Sequence, residues 1–136
     1  MGAWGAGNFE NDDAMDWVID FESARDLEII QNALEAVIQS AGDYVDAWEA
    51  SVALAAAEVV AALLRKPHPK LPDEVVGWVS QQHGKSLVVE NLIIEQAMRA
   101  LSIIAAESEL KELWEETDEF DLWQAEITGL HGRLQK

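Results

Sequence analysis

Asp12, Asp16 and Asp20 recur in steps of four. On a helix that spacing sets three carboxylates on one face, with Cβ atoms about 5–6 Å apart. Clustered carboxylate oxygens are the ligands that a hard cation such as Ca²⁺ or Mg²⁺ requires. Without a cation, each like-charged pair costs an isolated helix a few tenths of a kcal/mol. Asp20, near the C-terminal end, also faces the negative pole of its helix. Something must compensate: water with Arg25, a basic protein partner, or an ion. A second group, Asp43, Asp46 and Glu49, opens the third predicted helix, and Asp46 and Glu49 share a face. Capping accounts for Asp43 and Asp46 without a ligand. Should the fold bring both groups together, one carboxyl pKa would rise and proton transfer would become feasible. The candidate metal ligands are therefore Asp12, Asp16, Asp20, Asp46 and Glu49, for Ca²⁺ or Mg²⁺ if any cofactor is held at all.

Other chemistries find little support. Gly2, Gly5 and Gly7 resemble a phosphate cradle, but no strand precedes them, no lysine accompanies them and their surroundings are acidic. Gly84-Lys85-Ser86 mimics the end of a P-loop, yet Val79 stands where the earlier glycine belongs, so no nucleotide site is expected. His68, His83 and His131 lack paired-ligand spacing and are expected in solvent. No Ser–His–acid arrangement can be read from the order of residues. Glu58, inside an apolar run, is placed on the wetter side of its helix with Ser51, Ala62 and Arg65.

Charge narrows the partners. Nine Lys and Arg stand against 26 Asp and Glu, a net charge of −17 over 136 residues. Such a surface does not track nucleic-acid phosphates or anionic lipid. Zero cysteines exclude disulfides, thiolate metal sites and a cysteine nucleophile. The most apolar stretch, Val52 to Leu64, is interrupted by Glu58 and is shorter than the roughly 20 residues that span a bilayer. No basic n-region with an apolar run opens the chain, so a cytoplasmic location is expected.

The elements that must position these groups read as helices throughout. Asn11 or Asp12 caps a first helix to about Phe21. Ser23 caps a second, whose stripe is Leu27, Ile30, Leu34, Val37 and Ala41, and Gly42 ends it. Asp43 caps a third to about Arg65, with Tyr44, Trp48, Val52, Ala55, Val59 and Leu63 on one stripe. Its other sides are also rich in Ala, Val and Leu, which places it in the middle of a bundle. The proline-rich segment 66–72 breaks the series, and Pro72-Asp73-Glu74 opens a short fourth helix ending near Gly84, with Val75, Trp78, Val79 and Gln82 inward. Ser86 caps a fifth, with Leu87, Ile94, Met98, Leu101 and Ala105 inward. Ser108 starts a face of Leu110, Leu113, Trp114 and Thr117. Asp118 caps the last, with Phe120, Trp123, Ile127, Leu130 and Leu134 inward. The six tryptophans fall mainly on core stripes. The glycines before Asn11 let Trp4 and Phe9 fold back onto the helices, which would order the N-terminal segment. The expected architecture is all-α: one domain over residues 1–136, a bundle of six or seven helices with an ordered glycine and aromatic opening.

The opening Met1-Gly2-Ala3-Trp4-Gly5-Ala6-Gly7-Asn8-Phe9-Glu10-Asn11-Asp12, followed by Ala14, Asp16 and Trp17, resembles a bacterial family termed domain of unknown function 4259. Gly42-Asp43-Tyr44-Val45-Asp46-Ala47 before an alanine-rich helix, Leu71-Pro72, and Ser108-Glu109-Leu110-Lys111-Glu112-Leu113-Trp114 followed by Trp123 are similar to it too. The resemblance spans nearly the whole chain. It implies a bacterial, cytoplasmic, compact helical domain, and brings no reaction and no catalytic residues.

Three functions of different kinds follow. The first is a non-enzymatic acidic module that binds a basic protein, as an immunity or antitoxin protein would, with Trp4, Phe9, Asp43 and Tyr44 as contact candidates. The second is a metal-binding protein or metal-dependent hydrolase built on the clustered carboxylates. The third is a structural subunit that self-associates through an apolar patch.

Overall fold

The computed structural model describes residues 3–24, 26–84 and 91–135. They form seven helices: α1 (Asp12–Phe21), α2 (Glu28–Ser40), α3 (Ala47–Leu63), α4 (Asp73–Gly84), α5 (Asn91–Ala106), α6 (Glu109–Glu115) and α7 (Phe120–Leu134). Among the described residues there is no strand, only an isolated antiparallel bridge between Ala3 and Asn11. The all-α expectation holds. The expected caps at Ser86 and the inward Leu87 lie outside the described residues, as does Arg25.

α3 is the axis. From Ala50 to Leu63 every residue but Val52 is buried, and all six other helices pack against it. Seven of the buried positions are alanines, at 50, 53, 55, 56, 57, 61 and 62, and their short side chains let six neighbours approach one rod. Its end is closed by a Schellman pair, in which Arg65 N–H donates to Ala62 O (3.0 Å) and Lys66 N–H to Ala61 O (2.9 Å). Arg65 takes the left-handed conformation this requires, with φ of 66°. Pro67 then bars any continuation.

The beginnings of the helices show which side chains cap. Asn11 Oδ1 accepts Ala14 N–H at 2.8 Å and opens α1. Ser108 Oγ donates to Ile104 O (2.9 Å) and accepts Lys111 N–H (3.1 Å), so one hydroxyl closes α5 and opens α6. Three expected caps move. Ser23 belongs to turns that extend α1, and Asp26 Oδ1 instead accepts Glu28 N–H at 3.0 Å ahead of α2. Asp43 is exposed and precedes the helix by several residues. Asp46 and Glu49 form the capping box of α3, with Glu49 Oε1 accepting Asp46 N–H at 3.4 Å. Glu119, not Asp118, precedes α7, after Thr117 Oγ1 accepts its N–H at 3.2 Å.

The inner faces follow the helical period with one rotation. Val75, Trp78, Val79 and Gln82 on α4 and Trp123, Ile127, Leu130 and Leu134 on α7 are buried as expected. On α5 the buried set is Ile93, Ile94, Ala97, Ala100, Leu101 and Ile104, while Ala105 is exposed. The small alanines at 97 and 100 belong to the buried face, which leaves Ala105 outside it. An aromatic stack joins α1 to α4. The Trp17 and Phe21 rings lie 5.0 Å apart and Phe21 lies 4.4 Å from Trp78, whose indole N–H donates to Ala24 O at 2.9 Å.

The N-terminal segment is ordered as a small hairpin. Trp4 N–H donates to Glu10 O (2.9 Å) and Glu10 N–H to Gly7 O (3.0 Å). Glu10 folds its carboxylate back under the turn, where Oε1 accepts Gly7 N–H at 3.1 Å. A Cβ at Gly5 or Gly7 would lie 2.5 or 2.4 Å from that carboxylate, so the two glycines make room for it. Phe9 is buried, as expected, but Trp4 is 61% exposed. Ala3 packs on the core and Trp4 points away.

Candidate functional site

The buried charge lies where the sequence suggested water. Glu58, in the middle of α3, is 0% exposed. An isolated carboxylate in that position would be very costly, and it is held because it is paired and hydrogen-bonded. Arg133 of α7 donates to it through both terminal nitrogens, Nη1 to Oε1 at 2.7 Å and Nη2 to Oε2 at 3.1 Å. Asn8 of the hairpin, itself buried, adds Nδ2 to Oε2 at 2.8 Å. The expected wet face of α3 is therefore a polar seam inside the bundle, and Ser51 and Ala62 are buried along it. The signal is a lone Glu inside the apolar run Val52 to Leu64. What the order of residues could not show was its partner, 75 positions on.

His68 is not in open solvent either. The segment after α3 lays its ring against α7, with Nε2 3.0 Å from Glu126 Oε2. Lys70 N–H donates to Nδ1 at 2.9 Å. These contacts fix the tautomer, because Nδ1 must carry a lone pair and the neutral ring donates its Nε2 proton to Glu126. Ligand atoms of Glu58, His68 and Glu126 all lie within 4.8 Å of one another, the one such group of three among the described residues. An open groove of about 420 Å³ is lined in part by Glu10, His68, Glu126, Gly129 and Arg133, with Glu58 buried behind them. A second, more enclosed space of about 70 Å³ lies beneath the hairpin, between Asn8, Ser51 and Trp114. It has room for water but not for a metabolite. Asn8 Oδ1, buried, has no partner among the described residues.

The acids singled out by spacing take other positions. Asp12, Asp16 and Asp20 are all exposed on α1, and neither they nor Asp46 and Glu49 form a three-ligand group among the described residues. Asp46 and Glu49 are engaged in the capping box, and Glu49 Oε2 also accepts from Ser40 Oγ at 3.5 Å. The start of α3 is instead tied to the start of α6. Glu109 Oε1 accepts Ala47 N–H at 2.7 Å, and Glu109 N–H donates to Val45 O at 2.9 Å. Around this corner two aromatic rings face outward, Tyr44 at 51% exposure and Trp48 at 57%. The expected stripe fails here because Tyr44 precedes the helix, so helical phase does not govern it, and Val45 is buried in its place. Tyr44 Oη donates to Glu112 Oε2 at 3.2 Å. Partial desolvation of the ring, then the charges of Glu109 and Glu112, hold the phenol above its ordinary pKa of 10.0. Because Tyr44 is the sole tyrosine, alkaline titration of phenolate absorbance reads it alone. The midpoint is expected above that of free tyrosine and falls in Glu112→Gln. An unchanged midpoint in the variant would show that the carboxylate does not act on the phenol.

These features define an all-helical protein built on one alanine-rich central helix, with a buried carboxylate clamped by Asn8 of the hairpin and Arg133 of α7. The chain belongs to the family described as Domain of unknown function (DUF4259), whose match covers residues 2–126. Neither a curated protein nor a solved structure matches the chain. No helix of the described residues is long and apolar enough to cross a membrane.

Proposed function

We propose that the chain is a non-enzymatic acidic interaction module, which binds a basic protein partner in the manner of an immunity or antitoxin protein neutralising a cationic toxin. The observation that supports this reading is the corner at the start of α3. Tyr44 and Trp48 stand outward among Asp43, Asp46, Glu49, Glu109 and Glu112. Exposed aromatic rings are the usual energetic anchors of an interface. Surrounding carboxylates, on a chain of net charge −17, steer a cationic partner and select against an anionic one. Trp4 offers a further exposed ring, whereas the buried Phe9 cannot serve without undocking the hairpin.

The test compares the tagged chain with its Tyr44→Ala, Trp48→Ala double variant. Both rings are exposed, so the variant keeps the melting temperature of the parent to within a few degrees. The wild-type chain is expected to retain a basic protein from lysate at low salt and to associate more slowly as salt rises. Loss of both anchors should weaken the complex about 30-fold or more, as for a residue worth at least ~2 kcal/mol. A partner held equally well by the variant, or indifferent to salt, would refute this corner as the contact surface.

A further inference from the structure

The geometry points to a divalent transition-metal site formed by Glu58, His68 and Glu126. Three residues of ligating type arrive from three separate elements: the middle of α3, the segment after it, and α7. Their ligand atoms lie within 4.8 Å of one another, a spread that small side-chain adjustments close around one ion. The local charge is unbalanced. With His68 neutral, the two glutamates contribute −2 and Arg133 contributes +1. Glu10 lines the same groove and adds to the excess. One cation at this point offsets that surplus.

The donor set also selects the ion. One imidazole nitrogen with two carboxylates suits Zn²⁺ or Mn²⁺, while Ca²⁺ takes six to eight oxygens. A carboxylate has about four acceptor positions. On Glu58, Arg133 and Asn8 use three of them, which leaves one on Oε1 and holds the group in a fixed orientation, as outer-shell partners do. Three protein ligands leave a coordination position for water, and the overlying groove of about 420 Å³ gives it room. The ring of His68 must respond. Metal at Nε2 displaces the proton that Glu126 accepts, and the neutral ring then carries its proton on Nδ1. Nδ1 can no longer accept from Lys70 N–H, so the backbone at Lys70 shifts when the ion binds. The five surface acids read from spacing are not part of this site.

The whole chain, stripped with a chelator, is titrated with ZnCl₂ and separately with MnCl₂ by calorimetry and thermal melting. One ion per chain is expected, with a rise in Tm of roughly 10 °C when free ion exceeds Kd about a hundredfold. The Lys70 amide resonance is expected to move. His68→Gln and Glu126→Gln, both at partly exposed positions, should stay helical by circular dichroism and lose the stoichiometric ion and the Tm shift. Glu58→Gln is a poorer test, since it disturbs the clamp of Arg133. No binding at millimolar metal overturns the site. So does binding that survives both substitutions, which would place the ion on the exposed Asp12–Asp16–Asp20 face instead.

Discussion

Arg133→Ala lowers the unfolding free energy by about 3–5 kcal/mol, because it leaves Glu58 charged, buried and without its counter-ion. The size of the effect follows from asymmetric burial. Glu58 has no solvent exposure, whereas Arg133 keeps part of its side chain in water. The carboxylate cannot recover hydration where it stands, and Asn8 alone supplies one hydrogen bond at 2.8 Å. Removing both charges is expected to cost less than removing one. In Glu58→Met, Arg133→Met the buried charge is gone and apolar volume takes its place, a replacement that is often neutral or stabilising. Here the Asn8 amide loses its acceptor, which retains a penalty of about 1–3 kcal/mol. Urea unfolding at constant m-value measures each variant. A loss below about 1 kcal/mol for Arg133→Ala would mean that the pair behaves as a solvated surface bridge.

Phe21→Ala is expected to be as severe, at about 3–5 kcal/mol. Phe21 is fully buried and stands between two tryptophans, 5.0 Å from Trp17 and 4.4 Å from Trp78. Its ring contact with Trp78 joins α1 to α4. Truncation removes a ring from both neighbours at once and leaves a cavity that rigid indoles cannot fill. Tm should fall by roughly 10–20 °C, and tryptophan emission should shift to the red as Trp17 and Trp78 admit water. Phe21→Leu preserves most of the volume and should recover more than half of the loss. If Phe21→Ala melts within a few degrees of the parent, the stack is peripheral to the core.

Particular residues show what the order of amino acids discloses. Gly42, Pro72, Asn11 and Ser108 mark helix borders because each acts on its own backbone or on one a few positions away. The central place of α3 is visible because no side of it is polar enough to face water. Glu58 is hidden on the same grounds: a carboxylate in an apolar helix reads as solvated unless its counter-ion is known, and Arg133 lies 75 residues on. His68 reads as solvated for the same reason, since its partner Glu126 is 58 residues distant. Regular spacing drew attention to Asp12, Asp16 and Asp20, yet periodicity reports only that they share a helix face. The face in question is the wet one. Trp48 shares its phase with Val52, yet Trp48 is exposed and Val52 only half-buried, and phase alone cannot tell where a bundle ends.

The clamp on Glu58 has a consequence for how the chain acquires its structure during synthesis. Asn8 is made before Glu58 and Arg133 well after it, 75 positions on. A nascent chain that collapsed around α3 before α7 emerged would enclose an ionised group with nothing opposite it. The energetic advantage of closing the bundle therefore arrives late, after translation has passed α7, and contacts of such long range slow folding as well. Until then the alanine-rich segment lacks one of the six helices that pack against it.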